Sequence, residues 1–447
     1  MFDNGKRKVI GVIKMNYESE PQGVFFMIDN KSFYASCESV ARGLNPLQSV
    51  LVVMSETENT GGGGLILAAS PTAKKRYGIS NVSRRRDLPN VPEMIIAPPR
   101  MNLYIHKNLA VNRTFRDFCA DEDCYPYSID ESILDMTKSW QLFGSSPMEV
   151  AQEIQHTIRH KYGLYTTVGI GRNPLQAKLA LDIFAKHDHN LIGELSYGTF
   201  GKKIWPITDL TSVWSIGHRT ADHLNRMGIF SMDDLAHCNP YELKSEMGVI
   251  GSQLFALSWG IDRSKLSKLI NPVDKSWSNS QVLPRDYSIQ REIELVISEI
   301  GQQVTSRMRH HRQAASVISL GLGFSYSSSE EDGRSGFHRS IKVETTSSTA
   351  EINEVLMRLF RQNWEGQSIR NVMVSLSQLS EDTGLQLSLF EAPEPQIKRD
   401  NVDRIMDKIR DRFGVTKLIM ASSLLRGGTM LERASLVGGH NGGNSYD

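Results

Sequence analysis

Three carboxylates carry the strongest chemical signal in this 447-residue chain. Asp130 and Glu131 stand side by side in Tyr127-Ser128-Ile129-Asp130-Glu131-Ser132-Ile133-Leu134-Asp135-Met136. The alternating apolar residues read as a tight turn joining two short strands, with both acids at its tip. Adjacent like charges repel and raise each other's pKa, so the pair calls for a cation. Hard oxygen ligands on a turn suit Mg²⁺, which binds through one or two carboxylates and substrate phosphates. Acids are also common in solvated turns, so the pair alone decides little. The third acid, Asp29, ends the apolar run Val24-Phe25-Phe26-Met27-Ile28 and leads straight into a helix start, Asn30 to Glu38. An acid at the carboxyl end of a buried strand, joined by an acidic pair on a hairpin, can build a two-metal phosphoryl-transfer site.

Such acids need a scaffold. The length provides for roughly two to four domains, and 40% hydrophobic residues allow real cores. No apolar run reaches the length of a membrane span, and the polar stretch Met1 to Gln22 lacks a signal-peptide core. Cys37, Cys119, Cys124 and Cys238 are scattered without Cys-x-x-Cys spacing, which reads as free thiols in a reducing cytoplasm. A net charge of +1 gives no global basic footprint, so any nucleic-acid surface must be local.

In chain order, residues 1–22 read as a flexible leader containing Lys6-Arg7-Lys8. A strand (24–29), a helix (32–42) and a second strand (Val50 to Met54) follow. Gly61 to Gly64 lacks the Gly-Lys-Ser/Thr of a phosphate loop and reads as a flexible connection before the strand Leu65 to Ala69. Ser70 caps a helix, Pro71 opens it and Gly78 ends it, with Lys74, Lys75 and Arg76 on its surface. Pro98-Pro99-Arg100 breaks the chain before a helix from Met101 to Phe118. An amphipathic helix (148–162), a short buried strand (166–171) and a helix from Leu175 to Lys186 complete this half. Pro206 marks a boundary. Val213 to Leu224 then reads as a helix-hairpin-helix, whose glycine-opened helix N-terminus can hold a DNA phosphate without reading bases.

Residues 271–287, with Pro272, Pro284 and Ser276 to Ser280, read as a linker entering an edge strand. A helix striped by Ile293, Val296, Ile297, Ile300, Val304 and Met308 comes next. A hairpin of Ala315–Phe324 and Phe337–Val343 around a polar loop, a second helix (352–360) and the closing strand Ile369 to Leu376 give the split βαβ order. Gln386-Leu387-Ser388-Leu389-Phe390 places three apolar side chains in a polar loop. A linear motif docking in an apolar groove would explain them. Arg399 to Phe413 is a charged helix, and the Gly-rich end reads as disordered.

Ile28-Asp29 and Phe33-Tyr34-Ala35-Ser36-Cys37-Glu38, taken with Ser128-Ile129-Asp130-Glu131, resemble the Y-family, UmuC-type translesion DNA polymerases, nearest the UvrX-like branch of Gram-positive bacteria and their mobile elements. The likeness runs over residues 23 to 420. It implies an α+β multidomain right hand: an antiparallel-sheet palm (23–34 and 98–205), small fingers (35–97), a helical thumb (206–270), a linker (271–287) and a βαββαβ little finger (288–380). A clamp-binding loop (381–395), a C-terminal helical segment (396–420) and a disordered tail (421–447) follow.

The resemblance also implies roles. Asp29, Asp130 and the Asn30 backbone carbonyl would hold two Mg²⁺ ions, with Glu131 supporting the ion at the primer 3′-hydroxyl. Tyr34 would be the sugar gate. Phe33, whose own reading is core packing, would lie by the triphosphate with Thr72, Lys75 and Lys186. Thr72 and Lys75 are placed by aligning on Tyr77-Gly78. Lys178 and Lys186 match the lysines of the family's Ala-Lys…Asp…Ala-Lys pattern; taken alone, Lys186 reads as a helix C-cap cation. Ile216, Gly217, Arg219 and Thr220 of the thumb, and Arg307, Arg309, Arg312, Arg339, Lys342 and Arg370 of the little finger, would touch DNA. Gln386 to Phe390 matches the peptide that binds the bacterial sliding clamp. The implied activity is low-fidelity, lesion-tolerant addition of deoxynucleoside triphosphates to primer-template DNA, without proofreading, in the damage (SOS) response of the cytoplasm and nucleoid. A UmuD-like partner is compatible with it. Two other readings remain open: another palm-type enzyme such as a nucleotide cyclase or two-metal nuclease, and a DNA- and clamp-binding accessory protein with weak or partner-dependent catalysis.

Overall fold

The computed structural model describes residues 15–55, 64–80, 83–268, 275–382, 384, 392–437 and 440–441. The peptide Gln386 to Phe390, and all of the glycine run but Gly64, lie outside the described residues.

The strand Phe25–Asn30 is central because it is apolar on both faces. Phe26 and Ile28 pack in a core with the helices Met101–Phe115 and Pro147–Tyr162. Phe25 and Met27 pack on the other side against Ala177 and Leu181. The sheet has five strands, ordered Cys124–Pro126, Glu131–Asp135, Phe25–Asn30, Thr166–Gly171, Ile192–Glu194. The central strand is antiparallel to both neighbours. Gly169 is required at its position: a Cβ there would lie 2.1 Å from the Ala177 carbonyl, so only glycine lets the helix Pro174–Leu179 settle on the sheet.

The fingers are a three-stranded sheet, Ile66–Ala69, Leu51–Met54 and Ile95–Ala97, carrying the helix Pro71–Tyr77. Ser70 caps that helix by accepting from the Ala73 amide, and Gly78 closes it at φ 63°. The thumb packs the helices Tyr197–Ile204, His218–Arg226, Met232–His237 and Pro240–Ser258 around one core. The little finger is a four-stranded sheet, ordered Gly336–Thr346, Gln313–Phe324, Ile369–Glu381, Ser276–Tyr287. The helices Gln290–His310 and Thr349–Asn363 cover one of its faces.

Four expectations change. The stretch 271–287 does enter an edge strand, but that strand runs from Ser276 and is the fourth of the little-finger sheet, so the domain begins before residue 288. The polar loop after Phe324 holds a short helix, Tyr326–Asp332, capped by Ser325 and ended by Gly333 at φ 70°. The tail is folded at least to residue 437. Thr429 and Arg433 are buried against the helix Gln290–His310 and the edge strand, with the Thr429 amide donating to Glu299 at 2.9 Å and Arg433 donating to Gln281 at 2.7 Å. The leader is anchored from Met15 onward. Tyr17 stacks on Tyr197 at 4.4 Å, and buried Glu20 accepts from Arg263 Nε at 2.8 Å. In the tail and the leader, hydrogen bonds to buried polar side chains stabilise segments whose composition reads as loose. Among the described residues, no helix is long and apolar enough to cross a membrane.

Candidate active site

Sheet register brings the carboxylates together. Asp29 lies opposite Glu131 on one side and Thr167 on the other, so the three share a face. The hairpin tip is pinned from several directions. The Asp130 carbonyl accepts from the Asn30 amide at 2.9 Å and from Asn30 Nδ2 at 3.1 Å. Ser128 Oγ accepts from the Glu131 amide at 3.0 Å and donates to Asp130 Oδ1 at 2.8 Å. From the neighbouring helix, Asn108 donates to the Ile129 carbonyl at 2.8 Å. The turn expected from the sequence is therefore real, and it aims both acids at the end of the central strand.

These residues open onto a cleft of about 850 Å³ between palm and fingers. It is lined by Asp29, Asp130, Phe33, Tyr34, Lys75 and Lys186 of the expected set, and by Lys31 and Lys74, which sequence reasoning did not assign. Lys74 and Lys75 are neighbours on the helix Pro71–Tyr77. Pro71 also lines the cleft, and residues three and four further on share its face, so both lysines follow. Thr72 does not line the cleft; its hydroxyl donates to the Leu47 carbonyl at 2.6 Å, a structural role.

Burial pushes the Asp29 carboxyl up to about 6. Lys186 opposes the shift, and Asp130 and Glu131 add to it. Lys31 and Lys74 are pushed down by burial, although Asp29 favours their charge. Burial also works against the Lys186 charge, but a 2.7 Å bond to Asp182 and the nearby Asp29 win, and its pKa rises. Lys178 Nζ lies 2.6 Å from Glu131 Oε1.

Tyr34 lies with its ring stacked on Tyr104 at 4.4 Å and 15°. Tyr104 is fully buried and donates to Glu38 at 2.9 Å. Glu38 is itself fully buried. Burial would raise its pKa, but hydrogen bonds from Arg100, Arg42 and Tyr104 hold the carboxyl below its usual range. Arg100 makes a two-pronged contact, at 2.9 and 2.7 Å. The sequence shows Glu38 only as part of a motif; the structure makes it the buried acceptor that fixes Tyr104 beneath the Tyr34 ring.

The residues expected to touch nucleic acid divide. Gly217 and Arg219 are exposed at the start of the helix His218–Arg226, with Thr220 half-buried, but Ile216 is in the thumb core. Arg309 is a correction. Its side chain is 7% exposed and held by Asp403 and Asp407, the latter at 2.7 Å, so it ties the tail helix Pro393–Phe413 to the little finger and has no face for DNA. Arg370 pairs with Asp286, Arg339 donates to Asn363, and Arg307 lies over Trp277; Arg312 and Lys342 are exposed. What the sequence did not announce is the open face of the sheet. Ser340, Ser319, Ser375 and Ser278 stand in one lateral row across all four strands. Small hydroxyl side chains leave a flat surface that a phosphodiester backbone can approach.

The comparisons agree with this geometry. Residues 28–182 match the impB/mucB/samB family and residues 274–389 that family's C-terminal domain. UvrX of Bacillus subtilis strain 168 is 38% identical over 95% of this chain and 99% of its own length. DNA polymerase IV 2 of the same organism is 37% identical over 93% and 98%. DNA polymerase IV of Moorella thermoacetica is 31% identical over 90% and 97%. Among solved structures, a Y-family DNA polymerase chimera superimposes with a TM-score of 0.63, covering 79% of this chain and 98% of its own, at 19% identity. A right hand of palm, fingers, thumb and little finger around three carboxylates defines a translesion-type DNA polymerase. The chain belongs to the impB/mucB/samB family, the UmuC branch of the Y-family, with UvrX and the polymerase IV proteins as relatives. It is therefore a DNA-directed DNA polymerase, with primer-template DNA and deoxynucleoside triphosphates as substrates. Polymerases of this family depend on divalent metal.

Proposed function

We propose that the chain extends a primer 3′-hydroxyl by in-line attack on the α-phosphate of a deoxynucleoside triphosphate, with Asp29, Asp130, Glu131 and the Asn30 backbone carbonyl holding two Mg²⁺ ions. One observation carries the reading: Asp29, Asp130 and four lysines, Lys31, Lys74, Lys75 and Lys186, line a single palm–finger cleft, with Glu131 opposite Asp29 in the sheet register. The donor set fits magnesium. Asp29 is pushed toward neutrality by burial and by the acids beside it, so a cation there relieves the site. Asn30 Oδ1 next to it is buried without a hydrogen-bond partner. When bound, the two ions stabilise charge on the attacking and leaving oxygens.

The chain's own groups do the rest. Lys31, Lys74 and Lys75 face the incoming β- and γ-phosphates from palm and fingers, and Lys186 faces them from the palm helix. Replacing Lys74 with Ala is expected to raise the KM for nucleotide about tenfold with kcat changed less, since it removes one charge-assisted contact. Single-nucleotide steady-state kinetics would measure it. A KM equal to the parent's would take Lys74 off the phosphates.

The little finger would lay its serine row and the exposed Lys342 along the duplex. Gln386 to Phe390, just before the helix Pro393–Phe413, would dock on a bacterial sliding clamp. Replacing Leu387 and Phe390 with Ala should abolish capture of the chain by immobilised clamp and leave extension on short templates intact; retained capture would remove the peptide from the interface. The reading as a whole is tested by magnesium-dependent extension of a primed template with the chain alone. Extension would also make an obligatory UmuD-like partner unnecessary. Primed-DNA binding without extension would favour the accessory role.

A further inference from the structure

We infer that Asp182 is a positioning residue of the polymerase site. It holds Lys178 and Lys186 in file beside the palm carboxylates, and a widened turn of their helix keeps the three in line. The inference rests on Lys186 being a triphosphate lysine.

The charges alternate without a gap. Lys178 Nζ is 2.6 Å from Glu131 Oε1 and 3.2 Å from Asp182 Oδ2. Lys186 Nζ is 2.7 Å from Asp182 Oδ1 and 3.7 Å from Asp29 Oδ2. One carboxylate therefore gives one oxygen to each lysine, and each lysine faces one palm acid. Two ammonium groups this close would repel, and Asp182 between them removes that cost.

The helix geometry is what allows it. Lys178, Asp182 and Lys186 are spaced by four. In a regular α-helix each step of four overshoots a full turn by about 40°, so two steps would swing Lys186 by about 80° away from the acids. Residues Ala180–Phe184 instead form a π-helical turn, followed by the 3₁₀ turn Ala185–His187. A π turn carries more residues per turn, so it undershoots where the α-helix overshoots; it takes back more than the short 3₁₀ turn adds, and the net swing is reduced. Ala180 and Leu181 are fully buried and fix the turn from behind.

Without Asp182, the nearest acid for Lys186 is Asp29. The lysine would then neutralise a metal-holding carboxylate instead of waiting for phosphate. Asp182→Asn is expected to weaken nucleotide binding to a complex with a dideoxy-terminated primer about tenfold, the scale of one charge-assisted hydrogen bond. Binding would be read by calorimetry or fluorescence quenching with Ca²⁺ in place of Mg²⁺. In turnover, the KM should rise more than kcat falls, with primer-template affinity at the parent's value. Asp182→Glu should recover most of the binding. Asp182→Asn/Lys186→Ala should bind no worse than Lys186→Ala alone, because both act through one contact. Parental nucleotide affinity in Asp182→Asn, a loss in kcat alone, or an additive double variant would overturn the assignment. Failure of the unsubstituted chain to extend a primer would instead remove the polymerase reading beneath it.

Discussion

The chain carrying Asp130→Ala and Glu131→Ala is expected to bind primed DNA as the parent does and to lose magnesium-dependent extension by about a thousandfold or more. The size follows from what the two side chains do. With both gone, Asp29 is left as a lone carboxylate beside Lys186, and that pair cannot hold two divalent ions against water. The fold should survive. The hairpin tip is held by Ser128 Oγ on the Glu131 amide, by Asn108 on the Ile129 carbonyl and by Asn30 on the Asp130 carbonyl, and none of these needs an acidic side chain. Lys178 loses Glu131 but keeps Asp182 at 3.2 Å. The thumb and little finger, which carry the exposed DNA candidates, are untouched. Gel-resolved extension gives the rate, fluorescence anisotropy the DNA affinity, and thermal melting the fold. Extension surviving in the double variant would move the chemistry away from this hairpin; lost DNA binding would show that the tip supports the template.

Each half of this acid cluster was legible in the sequence because each is a local pattern, and the family resemblance joined the two across the chain. An acid ending an apolar strand and an acid pair on an alternating hairpin must share an edge once the strands pair, and the Asp29–Glu131 register is the result. The βαββαβ order was legible for the same reason, since period and length give each element. Two things hid the rest. The first is distance along the chain. Arg309 in an amphipathic helix reads the same whether it faces a phosphate or Asp403 and Asp407, which arrive with the tail helix. Thr429 and Arg433 look like part of a glycine-rich tail until Gln281 and Glu299 receive them. The second is a choice within one turn. Lys74 and Lys75 differ by a single helical step, and the cleft takes both. The π turn that aligns Lys178 with Lys186 has no sequence signal of its own, since a spacing of four reads as ordinary α-helix.

Tyr34→Ala is expected to lower discrimination against ribonucleotides about a hundredfold while deoxynucleotide addition stays within a few-fold of the parent. The ribose 2′-hydroxyl is the group that separates the two substrates. A rigid ring excludes it by overlap, and exclusion depends on the ring being unable to move aside. Here the restraint is visible. The Tyr34 ring stacks on Tyr104 at 4.4 Å, and Tyr104 is fixed through its hydroxyl to Glu38. Glu38 has no exposure and is held by Arg100 and Arg42, so a ring shift would have to disturb a buried ion network. Phe33, 2% exposed, lies against the Tyr34 ring at 5.9 Å and belongs to the palm core. Truncating Tyr34 therefore opens room for a hydroxyl without moving Asp29, whose strand is secured by its neighbours. Paired kinetics with each deoxynucleotide and its ribonucleotide give the ratio of kcat/KM directly. A ratio unchanged in Tyr34→Ala would place the gate elsewhere on the cleft wall. A ratio that falls only because deoxynucleotide addition collapses would make Tyr34 a support for the nascent pair and not a filter on its sugar.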